Sequence, residues 1–160
     1  TKEEGGTILV PTGSIVGLDA VIAAAEGDIQ SVRMISRKPP SSFVGTPFSN
    51  ENGTDLEGLA EPRKIFAGNA REAVKEFPAI LNIGAALALA GIGPERTFLE
   101  VWADPKLERN VHRIEVVSDL AILDMTIENI QSDDPKTVKI VSRSVIALLR
   151  KMNGHMRIGT

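Results

Sequence analysis

The sequence predicts a single α+β domain built around a largely antiparallel sheet. Two observations carry this. Strand-like and helical segments both occur along 160 residues, a length near that of one domain. Three of the strand-like segments, Arg96 to Ala103, Asn110 to Ser118 and Leu120 to Ile130, follow one another without a helix between them, which predicts an antiparallel meander turning first at Asp104-Pro105.

The elements follow in order. Thr7 to Val10 is a short β-prone run stopped by Pro11, and Thr12-Gly13-Ser14 offers a turn and capping residues before an apolar helix reaching about Glu26. Gly27 suits that helix's C-terminal cap. Asp28 to Ser36 reads as a strand with Ile29, Val32 and Ile35 as apolar members, ended by Arg37-Lys38-Pro39-Pro40. From Ser41 to Pro62 the chain is rich in Ser, Gly, Asn and Pro and predicts a long loop without a packed element, able to cover a site. Lys64 to Ala67 is a strand, and Asn69 with Glu72 forms a capping-box pattern opening a helix through Phe77. After Pro78, Ala79 to Ala90 is apolar nearly all round and predicts a buried helix. A last helix starts at Asp133-Asp134-Pro135, with Val138, Val141, Val145, Leu148 and Met152 as its stripe and Lys139, Arg143 and Lys151 away from it.

Composition excludes several classes of function. The absence of cysteine removes thiol catalysis and thiolate metal sites, and fits a reducing compartment, so a cytoplasmic address is expected. A net charge of -3 without basic clusters gives no reason to expect nucleic acid, and no apolar run suggests a membrane span. Asn52-Gly53-Thr54 matches a glycosylation sequon, read as chance. The chain opens on Thr1, consistent with trimming or with excision from something longer.

Four residues stand out as carriers of chemistry. On a strand from Asn110 to Ser118, His112 shares a face with Ile114 and Val116 and should be half buried. It is the best acid/base candidate, and a core histidine satisfied by a backbone carbonyl is the alternative. Asn82 inside an apolar helix needs a partner, either backbone or a ligand amide or carboxylate. The Thr12-Gly13-Ser14 turn offers hydroxyls and N–H groups to an anion, or simply caps a helix. Lys38 beside Arg37 could attract a dicarboxylate, or sit solvated at a strand end. His155 lies in a Gly-flanked tail, and Asp133-Asp134 reads as capping, with no metal site expected. No G-x-G-x-x-G or G-x-x-x-x-G-K-[ST] loop is present.

Taken in order, Val10-Pro11-Thr12-Gly13-Ser14-Ile15-Val16-Gly17-Leu18-Asp19, Arg37-Lys38-Pro39-Pro40 and Phe66-Ala67-Gly68-Asn69-Ala70-Arg71-Glu72-Ala73-Val74 resemble the L-aspartate dehydrogenase family. The series continues through Phe77-Pro78 with Asn82, Ala103-Asp104-Pro105, Arg109-Asn110-Val111-His112 and Asp134-Pro135-Lys136-Thr137, from about Gly6 to Met152. The resemblance is to that family's second domain only, which implies an open mixed, largely antiparallel sheet with helices packed on one face. It implies oxidation of L-aspartate with NAD or NADP to iminoaspartate, then oxaloacetate and ammonia, in service of NAD biosynthesis. It also implies a homodimer and a Rossmann domain, in the same or another chain, without which this domain is inactive. His112 matches the catalytic histidine, Ser14 and Asn82 match cofactor contacts, and Lys38 is assigned to a carboxylate of aspartate or a similar dicarboxylate. Ser14 stands where Ala is common, Asp134 where Asn is common, and Val138 where a small hydroxyl residue is common. The competing readings are a non-catalytic dimerisation or binding module, and a relative of the homoserine dehydrogenase or dihydrodipicolinate reductase type acting on another amino acid.

Overall fold

A computed structural model describes residues 5–44, 56, 58–78, 82–133 and 137–159. Its strands are β1 (Ile29–Lys38), β2 (Arg63–Asn69), β3 (Thr97–Ala103), β4 (Asn110–Ser118) and β5 (Ile122–Asn129). Its helices are α1 (Leu18–Ala24), α2 (Ala70–Glu76), α3 (Asn82–Ala90) and α4 (Ile140–Asn153), with a 3-10 turn over Pro40–Phe43.

The five strands form one open sheet in the order β2-β3-β1-β4-β5. Only the β1/β3 pair is parallel; β1/β4, β2/β3 and β4/β5 are antiparallel, so the expected mixed, largely antiparallel sheet is present. The expected meander is not. The β4/β5 hairpin forms, but β1 lies between β3 and β4, and residues 104–109 cross the end of β1 instead of closing a tight turn. The Asp104 N–H donates to the Lys38 carbonyl at 2.9 Å, tying this crossing to β1. Chain adjacency failed as a guide because β1 is ten residues long and alternates buried with less buried positions, which lets it serve as the central strand.

One face of the sheet is apolar and carries the helices. Val32 and Met34 of β1, Leu99 and Val101 of β3, and Ile114 and Val116 of β4 pack with Leu18, Val21, Ala73, Ile83 and Leu87 from α1, α2 and α3. At about 25 cal/mol per Å² this burial is the main stabilising term. Phe77 receives Phe43 and Phe66 edge-on, at centroid separations of 6.2 and 5.8 Å. Phe43 is fully buried, so the stretch from Ser41 does contribute to the core, contrary to expectation. Residues 45–55 and 57, with the sequon at Asn52, lie outside the described residues. The other face is polar: the Arg33 guanidinium pairs with Glu100 at 2.7 Å and Glu115 at 3.3 Å, while Arg113 pairs with Asp124 at 2.6 Å. Arg37 and Lys64 lie over the Trp102 ring.

Other boundaries shift for local reasons. The Asn69/Glu72 capping box forms with both reciprocal hydrogen bonds, and α2 begins at Ala70. Thr7 to Val10 forms no strand and is exposed, since β propensity acts only where a sheet edge accepts the run. The first helix starts at Leu18 and ends at Ala24, because Gly17 takes a left-handed conformation at φ 73 and sets the entry. The last helix starts at Ile140; its proposed cap at Asp134-Pro135 lies outside the described residues. No residue of α4 is buried, and its body-facing line is Val141, Ser144, Leu148 and Lys151, so Val145 and Met152 are exposed and Lys151, expected away from the stripe, is on the packed side.

Gly17 is left-handed at φ 73, and a Cβ there would also meet the sulfur near the end of the flexible Met125 side chain. Gly17→Ala carries the cost of a left-handed alanine and is expected to destabilise the domain by about 1–2 kcal/mol, read as a lower urea midpoint at unchanged slope. An unchanged midpoint refutes this account of the α1 entry.

Candidate functional site

Along the helix-covered face of the two central strands, side-chain character changes from apolar to polar toward one end of the sheet. Val32 and Met34 give way to Ser36 and Lys38 on β1, while Ile114 and Val116 give way to His112 and Asn110 on β4. Period-two alternation puts all four polar side chains on the buried face, and pairing sets Ser36 directly opposite His112. All four are buried: Lys38 is 4% exposed, Asn110 3% and His112 1%.

Above this polar floor is a cavity of about 370 Å³ lined by Ser14, Lys38, Asn82 and Asn110, with Ile83 and Val138 among its apolar walls. Three of the four sequence-predicted site residues therefore meet in one cavity. His112 does not line it; it sits behind, two residues along β4 from Asn110 and within electrostatic reach of Lys38.

The local chemistry follows from burial. Burial pushes the Lys38 ammonium down to about 8, so at neutral pH it stays mostly charged but is easily deprotonated. Burial, and next the nearby Lys38 charge, push the His112 imidazole down to about 3, so it is neutral at physiological pH. His112 Nδ1, Asn110 Oδ1 and Ser36 Oγ are buried with no hydrogen-bond partner among the described residues. Orphaned buried polar atoms cost roughly 1–3 kcal/mol each, and their concentration here marks a site.

Several expectations are corrected. His112 is fully rather than half buried, and no backbone carbonyl among the described residues satisfies its Nδ1. Asn82 is exposed at the first described turn of α3, so its amide faces the cavity and needs no internal partner. Lys38 is the last residue of β1, not a solvated strand end, because alternation turns it inward while Arg37 faces out. The Thr12-Gly13-Ser14 turn precedes α1 by several residues and is no helix start; the Gly13 N–H donates to Ser144 Oγ at 3.1 Å, and the Ser14 carbonyl accepts from Asn129 Nδ2 at 3.0 Å. These bonds fix the turn against α4 and β5. His155 and Asp133 are exposed, and no group of three metal-ligating side chains occurs among the described residues.

Asn110, Ser36 and Asn129 were missed as members of the site. The first two had a readable signal: a polar residue two positions before another polar residue on a strand whose remaining inward positions are apolar. Asn129 had none, since its partner lies 115 residues away.

This geometry, a mixed open sheet whose central strands end in a buried polar floor under a cavity, defines an α+β domain with a candidate ligand site. The family described as aspartate dehydrogenase, C-terminal, matches residues 19–152, and the chain belongs to that family. It is 59% identical over 155 residues to L-aspartate dehydrogenase 3 of Bordetella bronchiseptica, covering 97% of this chain and 57% of the relative. It is 54% identical over 159 residues to L-aspartate dehydrogenase of Bradyrhizobium diazoefficiens, covering 99% and 57%, and 41% identical to that of Methanosarcina mazei, covering 99% and 59%. The chain thus spans somewhat over half the length of these relatives. The crystal structure of aspartate dehydrogenase from Thermotoga maritima shares the fold at a TM-score of 0.71 and 24% identity, covering 94% of this chain and 55% of that one. No described helix is long and apolar enough to cross a membrane.

The buried neutral imidazole makes a signed prediction. His112 titrates near 6.5 when unfolded and about 3 when folded, so between these values the unfolded state binds more protons. Its contribution is present above pH 6.5 and is lost as pH falls toward 3. His112→Gln should reduce the loss of stability between pH 6.5 and 4 relative to wild type, measured by urea unfolding across that range; parallel curves would contradict the buried neutral assignment.

Proposed function

We propose that this chain is the catalytic half of an NAD(P)-dependent L-aspartate dehydrogenase, working in the cytoplasm to supply iminoaspartate for NAD biosynthesis or, after hydrolysis, oxaloacetate and ammonia. The observation that carries this reading is the buried Lys38 ammonium on the floor of a cavity beside a neutral imidazole, in a chain with relatives named L-aspartate dehydrogenase. An ammonium at the floor of a cavity can take a ligand carboxylate through a charge-assisted hydrogen bond, which is strong in such surroundings.

Lys38 binds one carboxylate of aspartate. Neutralising its charge removes the second cause of the low His112 basicity, so substrate binding makes the imidazole a better proton acceptor. A bound nicotinamide supplies the acceptor for the hydride leaving Cα as the amine becomes an imine. His112 then takes the proton from the water that adds to the imine carbon, and returns it as ammonia departs. Asn82 fits a carboxamide because its amide is exposed on the cavity wall, and Ser14 gives that wall a buried, firmly held turn.

The sequence carries no glycine-rich phosphate loop, so the rest of the nucleotide needs a Rossmann domain in the same or another chain. Helix α4 supports such a partner: it buries no residue, and Ile140, Val145, Ile146, Leu149 and Met152 are exposed. A homodimer through the outer face of the sheet, where Phe98 and Ile122 are exposed, belongs to the same reading.

The test joins this domain to the part of the Bordetella bronchiseptica relative that it does not cover. Aspartate-dependent reduction of NAD or NADP is expected, with His112→Ala lowering kcat at least 100-fold. Lys38→Met should raise KM for aspartate about 10- to 100-fold with a smaller effect on kcat, as lost charge-assisted binding requires. A fully active His112→Ala enzyme sinks the proton-transfer role, and preferential turnover of another amino acid reassigns the substrate.

A further inference from the structure

Asn110 is the one member of the polar floor that lines the cavity and has had no task. Its side chain is buried on β4, its Oδ1 has no hydrogen-bond partner among the described residues, and the cavity it lines also holds Lys38. Two requirements for a ligand follow. The proposed reading sets a substrate carboxylate at Lys38, and an amide oxygen with no partner among the described residues calls for a hydrogen-bond donor. A simple dicarboxylate meets only the first, because ionised carboxylates are acceptors. An α-amino acid meets both, since its ammonium or amine carries N–H donors on the carbon next to the carboxylate.

Resting on the proposed dehydrogenase reading, we infer that Asn110 is a substrate-binding residue whose Oδ1 accepts a hydrogen bond from the α-amino group and so distinguishes an amino acid from the corresponding deaminated acid. The donor changes during turnover. The amine and the iminium that follows it both present N–H to Asn110, whereas the keto acid left after hydrolysis presents none. The same contact therefore holds the substrate and the imine and lets the deaminated product go.

The test compares aspartate with succinate, a dicarboxylate of the same chain length that lacks only the amine, in the joined enzyme described above. Asn110→Leu should raise KM for aspartate about 10- to 100-fold, the range of a hydrogen bond to a charged group, and leave succinate inhibition within about twofold of wild type. Unchanged succinate inhibition also shows that the site is folded. If Asn110→Leu does not fold, Asn110→Ala is read in the same way. An unchanged aspartate KM, or equal weakening of aspartate and succinate, overturns the inference while leaving the dehydrogenase reading standing. A wild-type enzyme that does not turn over aspartate overturns that reading, and the inference with it.

Discussion

Strand β1 is hydrogen-bonded on both sides, parallel to β3 and antiparallel to β4, and both the core and the site depend on that placement. A strand flanked on both sides and covered by helices has no water along its inner face. Val32 and Met34 use that dryness for packing, while Ser36 and Lys38 have it imposed on them. Because alternation is rigid, the strand cannot bury Met34 without also burying Lys38 four residues on. Pairing with β4 then brings His112 opposite Ser36 and leaves Asn110 one step nearer the cavity. One register thus fixes the core and the polar floor together.

The floor is costly to fold and useful once folded. Holding Lys38 charged at neutral pH against a preference lowered from 10.5 to about 8 costs on the order of 3 kcal/mol. The unpartnered atoms of Ser36, Asn110 and His112 add to this. The domain sustains these terms because its apolar layer is large and closed, with Phe77, Leu87, Leu99 and Ile114 fully buried. The same low polarity that makes the free floor unfavourable strengthens every contact a charged ligand makes there, so binding recovers what folding spends.

Most of the strands and the short helices were legible because they rest on local rules: β4 runs over the predicted Asn110 to Ser118, and the Asn69/Glu72 box opens α2 as its spacing requires. The order of strands was not legible. It depends on which strand is most completely covered, a property of the assembled layer, and β1 inserts between β3 and β4 against the simpler expectation of a hairpin. The site divides in the same way. His112 stood out by residue type, yet its complete burial and its unpartnered Nδ1 arise from helices packed far away in sequence. The sequence left Lys38 between a carboxylate site and a solvated strand end; only the inward phase of the strand separates it from the half-exposed Arg37. Asn82 looked interior because its neighbours are apolar, but a helix's first turn opens to whatever lies before it.

The uncovered helix and the cavity are parts of one surface. Val138, just before α4, and Val141, in its first turn, line the cavity wall, as does Val10 beside the exposed Ile8 and Leu9. Ser144 on α4 holds the Gly13 N–H, so the turn that bears Ser14 is fastened to this helix. A partner seated on the apolar face of α4 would therefore bear on the rim of the cavity without touching its floor. Such a partner would also displace water from Asn82, which is exposed on that rim. The side chains of Ser36, Lys38, Asn110 and His112 are positioned by this domain itself, since β1 and β4 fix them within the sheet. On the proposed reading, closure over them would come from a partner on the exposed face of α4.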